Sequence, residues 1–244
     1  KMLIGATLIL SIGLYGPPLM ALDAIPGQGV DPDGYELVWY GSDSNGTFAV
    51  RSIMPAPAGN DLKATFTAAN GKKIKITSSQ GIVNAVLPNG QITTQRLSNG
   101  NVSMTLRAGG QQVSFRMTPS GTLLDTVDQA TYDSIRAALS SGMSSVFNSV
   151  TQFGLSQELL VQGADGQLVA NPNAETLSPE GHVPYGVSGP IWKILVCVAA
   201  VVGYIASLVG IVAGCVTIVW CGPARAAHAL AVIGVIDGCM MGWE

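Results

Sequence analysis

Between residues 31 and 124, apolar and polar positions alternate in short runs. In "KKIKITSSQG", Ile74 and Ile76 share one face, and Lys73, Lys75 and Thr77 share the other. "NVSMTLRAGG" sets Val102, Met104 and Leu106 against Ser103, Thr105 and Arg107, and "QQVSFRMTPSG" repeats the pattern with Val113, Phe115 and Met117. Period-2 patterning predicts strands of a sheet with one buried and one wet face. "YELVWY" and "TFAVRSIM" read as two further strands joined by "GSDSNG". Asn70–Gly71, Asn89–Gly90, Asn99–Gly100 and Gly109–Gly110 punctuate the runs. Such dipeptides suit the positive φ of type I′ hairpin turns, so the expected sheet is an antiparallel meander.

From residue 125 the period lengthens. Val127, Ala130, Tyr132, Ile135, Leu139, Met143, Val146, Val150 and Phe153 recur at spacings of three and four. This predicts an amphipathic helix that covers the sheet, capped by Asp125 or Thr126 and weakened in its middle by Gly142. Residues 163–190 are rich in Gly, Pro and polar side chains and read as a linker. The run from Ile194 to Trp220 then carries no charge, longer than the 18 or so apolar residues that suggest a membrane span. The predicted class is α+β: residues 1–24 an export signal, 25–162 an antiparallel β-meander domain with a covering helix, 163–190 a linker, and 191–244 an apolar helical hairpin.

Composition sharpens this reading. Charged residues make up 11% of the 244, less than half the usual share, and the net charge is −3. No basic cluster offers a nucleic-acid footprint. Lys1 followed by an uncharged apolar run and "GPPLMALDA" resembles a secretory signal, the other reading being a retained N-terminal anchor. Export implies an oxidising compartment in which disulfides persist.

All four cysteines fall in the apolar segment, with gaps of 18, 6 and 18 residues. Eighteen residues make five helical turns, so Cys197 and Cys215 share one face of a helix about 27 Å apart. A hairpin turning near residue 218 brings Cys215 to Cys221 and Cys197 to Cys239. Four cysteines allow three pairings, and the symmetry favours this nested one over buried free thiols. Pro223 suits the first turn of the second helix. Trp192 and Lys193 at the start, Trp220 at the turn and Trp243 at the end stand where membrane-interface residues are expected. A core hairpin of a soluble protein is the competing account, and it requires cover on every side of so apolar a helix. Gly203, Gly210 and Gly214 form a small-residue face suited to close helix packing, which suggests self-association of hairpins. His228 falls on the cysteine seam near Tyr204 and Leu208. It reads as a pH-sensitive group or as a satisfied structural histidine.

Neither Gly-x-Ser-x-Gly nor His-Glu-x-x-His occurs, and no metal-ligand spacing or cofactor motif is present. The chain therefore reads as non-enzymatic. The layout of export signal, long leader and apolar cysteine-bearing C-terminus, with "CVAAVVGYIASLVGIVAGCVTIVWC" at its heart, resembles precursors of secreted bacteriocins of the halocin type. That family's peptides are denser in cysteine. The resemblance implies a released peptide that permeabilises a lipid membrane. The alternative is a cell-envelope binding or structural protein anchored by the hairpin. Nested disulfides favour a hairpin that folds outside the cell, because a hairpin spanning an inner membrane would place one of them in a reducing compartment.

Overall fold

The computed structural model describes residues 29–53, 61–163, 168–173, 191–214, 217–218 and 221–240, with the backbone alone at 191–195, 213–214, 238 and 240. The segment 1–24, expected to be an export signal, lies outside these residues, as do Cys215, Trp220 and Trp243.

Eight strands run in chain order through one antiparallel sheet: β1 Tyr35–Asp43, β2 Gly46–Ile53, β3 Leu62–Ala68, β4 Lys73–Ser79, β5 Ile82–Leu87, β6 Gly90–Arg96, β7 Val102–Ala108 and β8 Gln111–Met117. The alternation in sequence is the alternation in burial. Ile74 and Ile76, Val102, Met104 and Leu106, and Val113, Phe115 and Met117 all point into the core. With the helices on one face, the fold is α+β with a β-meander.

The turns follow the type I′ expectation at Gly109–Gly110 and depart from it at the three Asn-Gly sites. Positive φ at both central residues occurs at Gln80–Gly81 and Gly109–Gly110. At 70–71 and 99–100 only the glycine has positive φ, and Gly71 and Gly100 each donate to a carbonyl three residues back. Those loops are one residue longer and use the glycine after a type I turn. At 88–89 neither residue has positive φ.

The single covering helix resolves into two, α1 Gln129–Ser140 and α2 Ser144–Ser156. Gly142, at φ 66°, ends α1, because a residue in the left-handed region cannot continue the helix and glycine enters it at least cost. The apolar spacing crosses the break, and Tyr132, Ile135, Leu139, Met143, Val146, Val150 and Phe153 are all buried. The N-cap is Asp128, whose carboxylate accepts from the amides of Ala130 and Thr131. Asp125 instead holds the Arg116 guanidinium and amide across the β8 edge.

The predicted linker contains a strand. β10 Leu168–Ala170 pairs with β9 Leu160–Gln162. Its short apolar triplet is outnumbered by the Gly and polar residues around it, so composition alone conceals it.

Last come α3 Ile191–Val209, a π-helical turn over Gly210–Gly214, and α4 Gly222–Met240. The α3–α4 hairpin lies in the same core as the sheet. α1 covers β6 to β8, α2 covers β2 and β3, α3 meets β1, α2 and the β9–β10 pair, and α4 meets β5 and β6. Trp39, Phe48 and Phe66 from the sheet close around Phe153 of α2, with ring centroids 5.6 to 6.4 Å apart. Edge-on contacts of this kind add to the area the rings bury.

Candidate functional site

The hairpin is the chemically distinctive region. Cys197 and Cys239 form a disulfide with Cα atoms 4.6 Å apart, so the open end of the hairpin is closed as the spacing predicted. Both cysteines are buried. Cys221 is also disulfide-bonded. Cys215 lies outside the described residues. Trp192 and Lys193 fall in the first turn of α3, where the backbone alone is described.

From Cys197 to Leu208, α3 is apolar but for Ser207, and every one of these residues is buried. Val198, Val201, Val202, Tyr204, Ile205 and Leu208 are fully buried. Gly203, predicted to meet a second hairpin, meets β10 instead: a Cβ at this position would stand 2.9 Å from Ala170 Cβ and 3.0 Å from Ala170 N. Gly210 and Gly214 bound the π-helical turn. Such a turn misaligns one carbonyl from the helical ladder. Here the carbonyl of Ile211 accepts a 3.0 Å hydrogen bond from the Tyr132 hydroxyl of α1. Burial pushes the Tyr132 phenol up to about 12, so it remains a donor.

Across the helix–sheet seam runs a buried polar network. His228 of α4 faces Ser207 of α3 at 2.9 Å through Nδ1 and Thr94 of β6 at 3.3 Å through Nε2. The Ser207 hydroxyl donates to the Tyr204 carbonyl at 2.7 Å. Its one proton is thereby used, so Nδ1–H must donate to Ser207 and Nε2 must accept from Thr94. The Thr94 oxygen then receives the Tyr204 hydroxyl at 3.5 Å. The Tyr204 and His228 rings lie 5.2 Å apart. In this arrangement every donor has an acceptor when the imidazole is neutral. A second ring proton would find none, and burial holds the His228 pKa down to about 3. Burial likewise raises the Tyr204 phenol.

This network is built to lock α3, α4 and β6 together. Ser207 donates its proton to a backbone carbonyl and His228 is fully buried, so both side chains are held in place by the helix–sheet seam. The seam position of His228 beside Tyr204 was visible in the sequence. Thr94 and Ser207 were missed. Their signal was a hydroxyl on the inward side of a strand and another in the middle of an otherwise apolar helix.

An apolar cleft of about 240 Å³ lies between β10, α3 and α4. Small side chains leave it open, among them Ala200, Ala227 and Gly234, and the exposed Leu230 stands at its edge. No known protein family, curated protein or solved structure matches the chain.

Proposed function

We propose that the chain is a non-enzymatic, extracytoplasmic precursor in which the meander sheet shelters a stapled apolar hairpin that acts on lipid membranes. The observation that carries this reading is the cover over α3. The apolar stretch 197–208 of α3 is held away from water by α2, β1, β9 and β10 of its own chain, while a disulfide keeps the hairpin closed. Among the described residues no helix is long and apolar enough to cross a membrane. The proposed mode is therefore insertion into the interface. There an apolar face is buried at the headgroup boundary and binding grows with its area.

Release requires a cut in the segment before α3 and loss of the contacts that tie the hairpin down. These are Tyr132 to the Ile211 carbonyl, Thr94 to His228 and the Arg96–Asp237 ion pair at 2.7 Å. A specific protease site placed within residues 176–186 of the full chain provides the test. Dye-loaded vesicles of mixed phosphatidylcholine and phosphatidylglycerol should stay intact with the uncut protein and leak after cutting. Absence of leakage from both forms, with cleavage complete, contradicts the membrane-active reading.

A further inference from the structure

Arg225 is a charged side chain in an unfavourable place. It is 5% exposed. Its Nε donates to the carbonyl of Gly121 at 2.7 Å, but Nη1 is buried with no partner. None of the ion pairs formed by the described carboxylates includes it. Buried charges in folded proteins are ordinarily paired, because an uncompensated one costs several kcal/mol.

Its place on α4 adds to the imbalance. The Arg225 amide donates to Cys221 O at 3.0 Å, the first helical bond of α4. The guanidinium thus belongs to the first turn, where the helix dipole is positive and an acidic residue would be favoured. Of that turn, Gly222 and Ala224 carry amides with no acceptor four residues back within the helix, and Pro223 has no N–H to satisfy. Side chains on a helix lean towards its N-terminus, and the guanidinium is bonded to Gly121, which packs on Gly222 and Ala226 of the first turns of α4. The turn at 118–121 closes over it. A Cβ at Gly121 would stand 2.5 Å from Ala226 N and 2.6 Å from Gly222 O, so only glycine lets the turn sit this close. Pro119 and Ser120 at the tip of that turn are exposed, so the turn that covers the guanidinium lies at the surface.

We infer that Arg225 and the N-terminal turn of α4 form a binding site for an oxyanion of the phosphate type. An orphan guanidinium donor beside a positive helix end supplies the two elements that bind phosphate: charge-assisted N–H donors and outward amides. A free phosphate and a lipid phosphate group share this chemistry. The site is independent of whether the hairpin is ever released.

The test uses the full chain, uncut. Thermal unfolding is followed in sodium phosphate and in sodium chloride at equal ionic strength, for the wild type and for Arg225→Met. At ten times the dissociation constant, phosphate should raise the wild-type midpoint by about 3–6 °C. The midpoint of Arg225→Met should not respond, and in chloride it should equal or exceed that of the wild type, since an apolar side chain replaces an unpaired charge. Should Arg225→Met fail to fold, the ³¹P linewidth of inorganic phosphate decides, broadened by the wild type and restored by excess sulfate. Flotation with phosphatidylcholine vesicles, with and without phosphatidylglycerol, identifies the source. Selective flotation with the anionic vesicles and no response to free phosphate assigns a lipid phosphate. A response to free phosphate assigns the soluble ion. Equal phosphate responses of the two proteins overturn the inference, as does a wild type indifferent to free phosphate and to anionic vesicles alike.

Discussion

The meander sheet and the C-terminal hairpin are both apolar, yet they are stabilised in different ways. In the sheet each strand pairs with the next in sequence. Its contacts are local, every connection but the one between β2 and β3 is short, and its polar face can meet water. The hairpin has few such options. Every residue of α3 from Cys197 to Leu208 is buried, so its stability depends on elements elsewhere in the chain: Tyr132 from α1, β10 behind Gly203, Thr94 from β6. The lesson is that an apolar helix can be recognised from sequence while its partner cannot. Alternation along a strand states which face is buried. A helix that is apolar on every side states only that something must surround it, whether protein or lipid.

Several substitutions break or sharpen this contrast. The largest expected effect is Phe153→Ala, which empties the point where α2 meets the sheet aromatics. It should cost about 3–5 kcal/mol in chemical unfolding, and the loss should reach both regions because they share one core. Replacing Cys197 and Cys239 by alanine opens a loop between residues 42 apart in sequence. The cost should be about 2–4 kcal/mol, with hydrogen exchange accelerated in α3 and α4 before the sheet.

Acid acts on the seam between the two regions. His228 is neutral in the folded chain down to about 3, whereas its ordinary value is 6.5. Below 6.5 the unfolded chain takes up the proton and the folded chain does not. The stability contributed by the neutral imidazole is present above about 6.5 and is lost progressively as pH falls towards 3, by up to about 1.4 kcal/mol per pH unit. His228→Gln should be less stable at neutral pH by about 1–3 kcal/mol, through unpaired hydroxyls, but should lack this component of the acid slope. Equal slopes in the two proteins would remove His228 from the account.

Gly203→Val should displace β10 and cost about 1–3 kcal/mol. If the same variant instead altered only self-association in sedimentation, the small-residue face would belong to a second copy. The smallest effect is expected for Arg96→Ala. Its pair with Asp237 is half exposed, and the loss should stay within about 1 kcal/mol and shrink with added salt.

How legible these features were follows from their range. Ile74, Met104 and Phe115 announced the buried face because a strand's period is fixed by covalent geometry. The Cys197–Cys239 pair was readable because equal gaps on two helices leave a short list of registers. Gly142 was noticed as a weak point, but the left-handed turn that splits α1 from α2 depends on the sheet beneath both. β10 escaped notice because a three-residue strand carries little periodicity, and its place is decided by the glycine it packs on. Thr94, Ser207 and Tyr132 lie far apart in the chain, and only the folded topology brings their hydroxyls to α3 and α4. In the sequence Arg225 is one charge in a largely apolar helix. Its lack of a counter-charge could be recognised only once its surroundings were known.

The most direct measurement of the central claim is vesicle flotation of the chain carrying the engineered cut before α3, with both fragments followed by mass. The account predicts that the uncut chain stays in the dense layer. After cutting, the 191–244 fragment should rise with the vesicles and the sheet should remain below. Fragments that stay together in the dense layer would mean the hairpin is a permanent part of the core. Fragments that float together whether or not the chain is cut would mean an anchored envelope protein, and either result contradicts a sheltered, releasable hairpin.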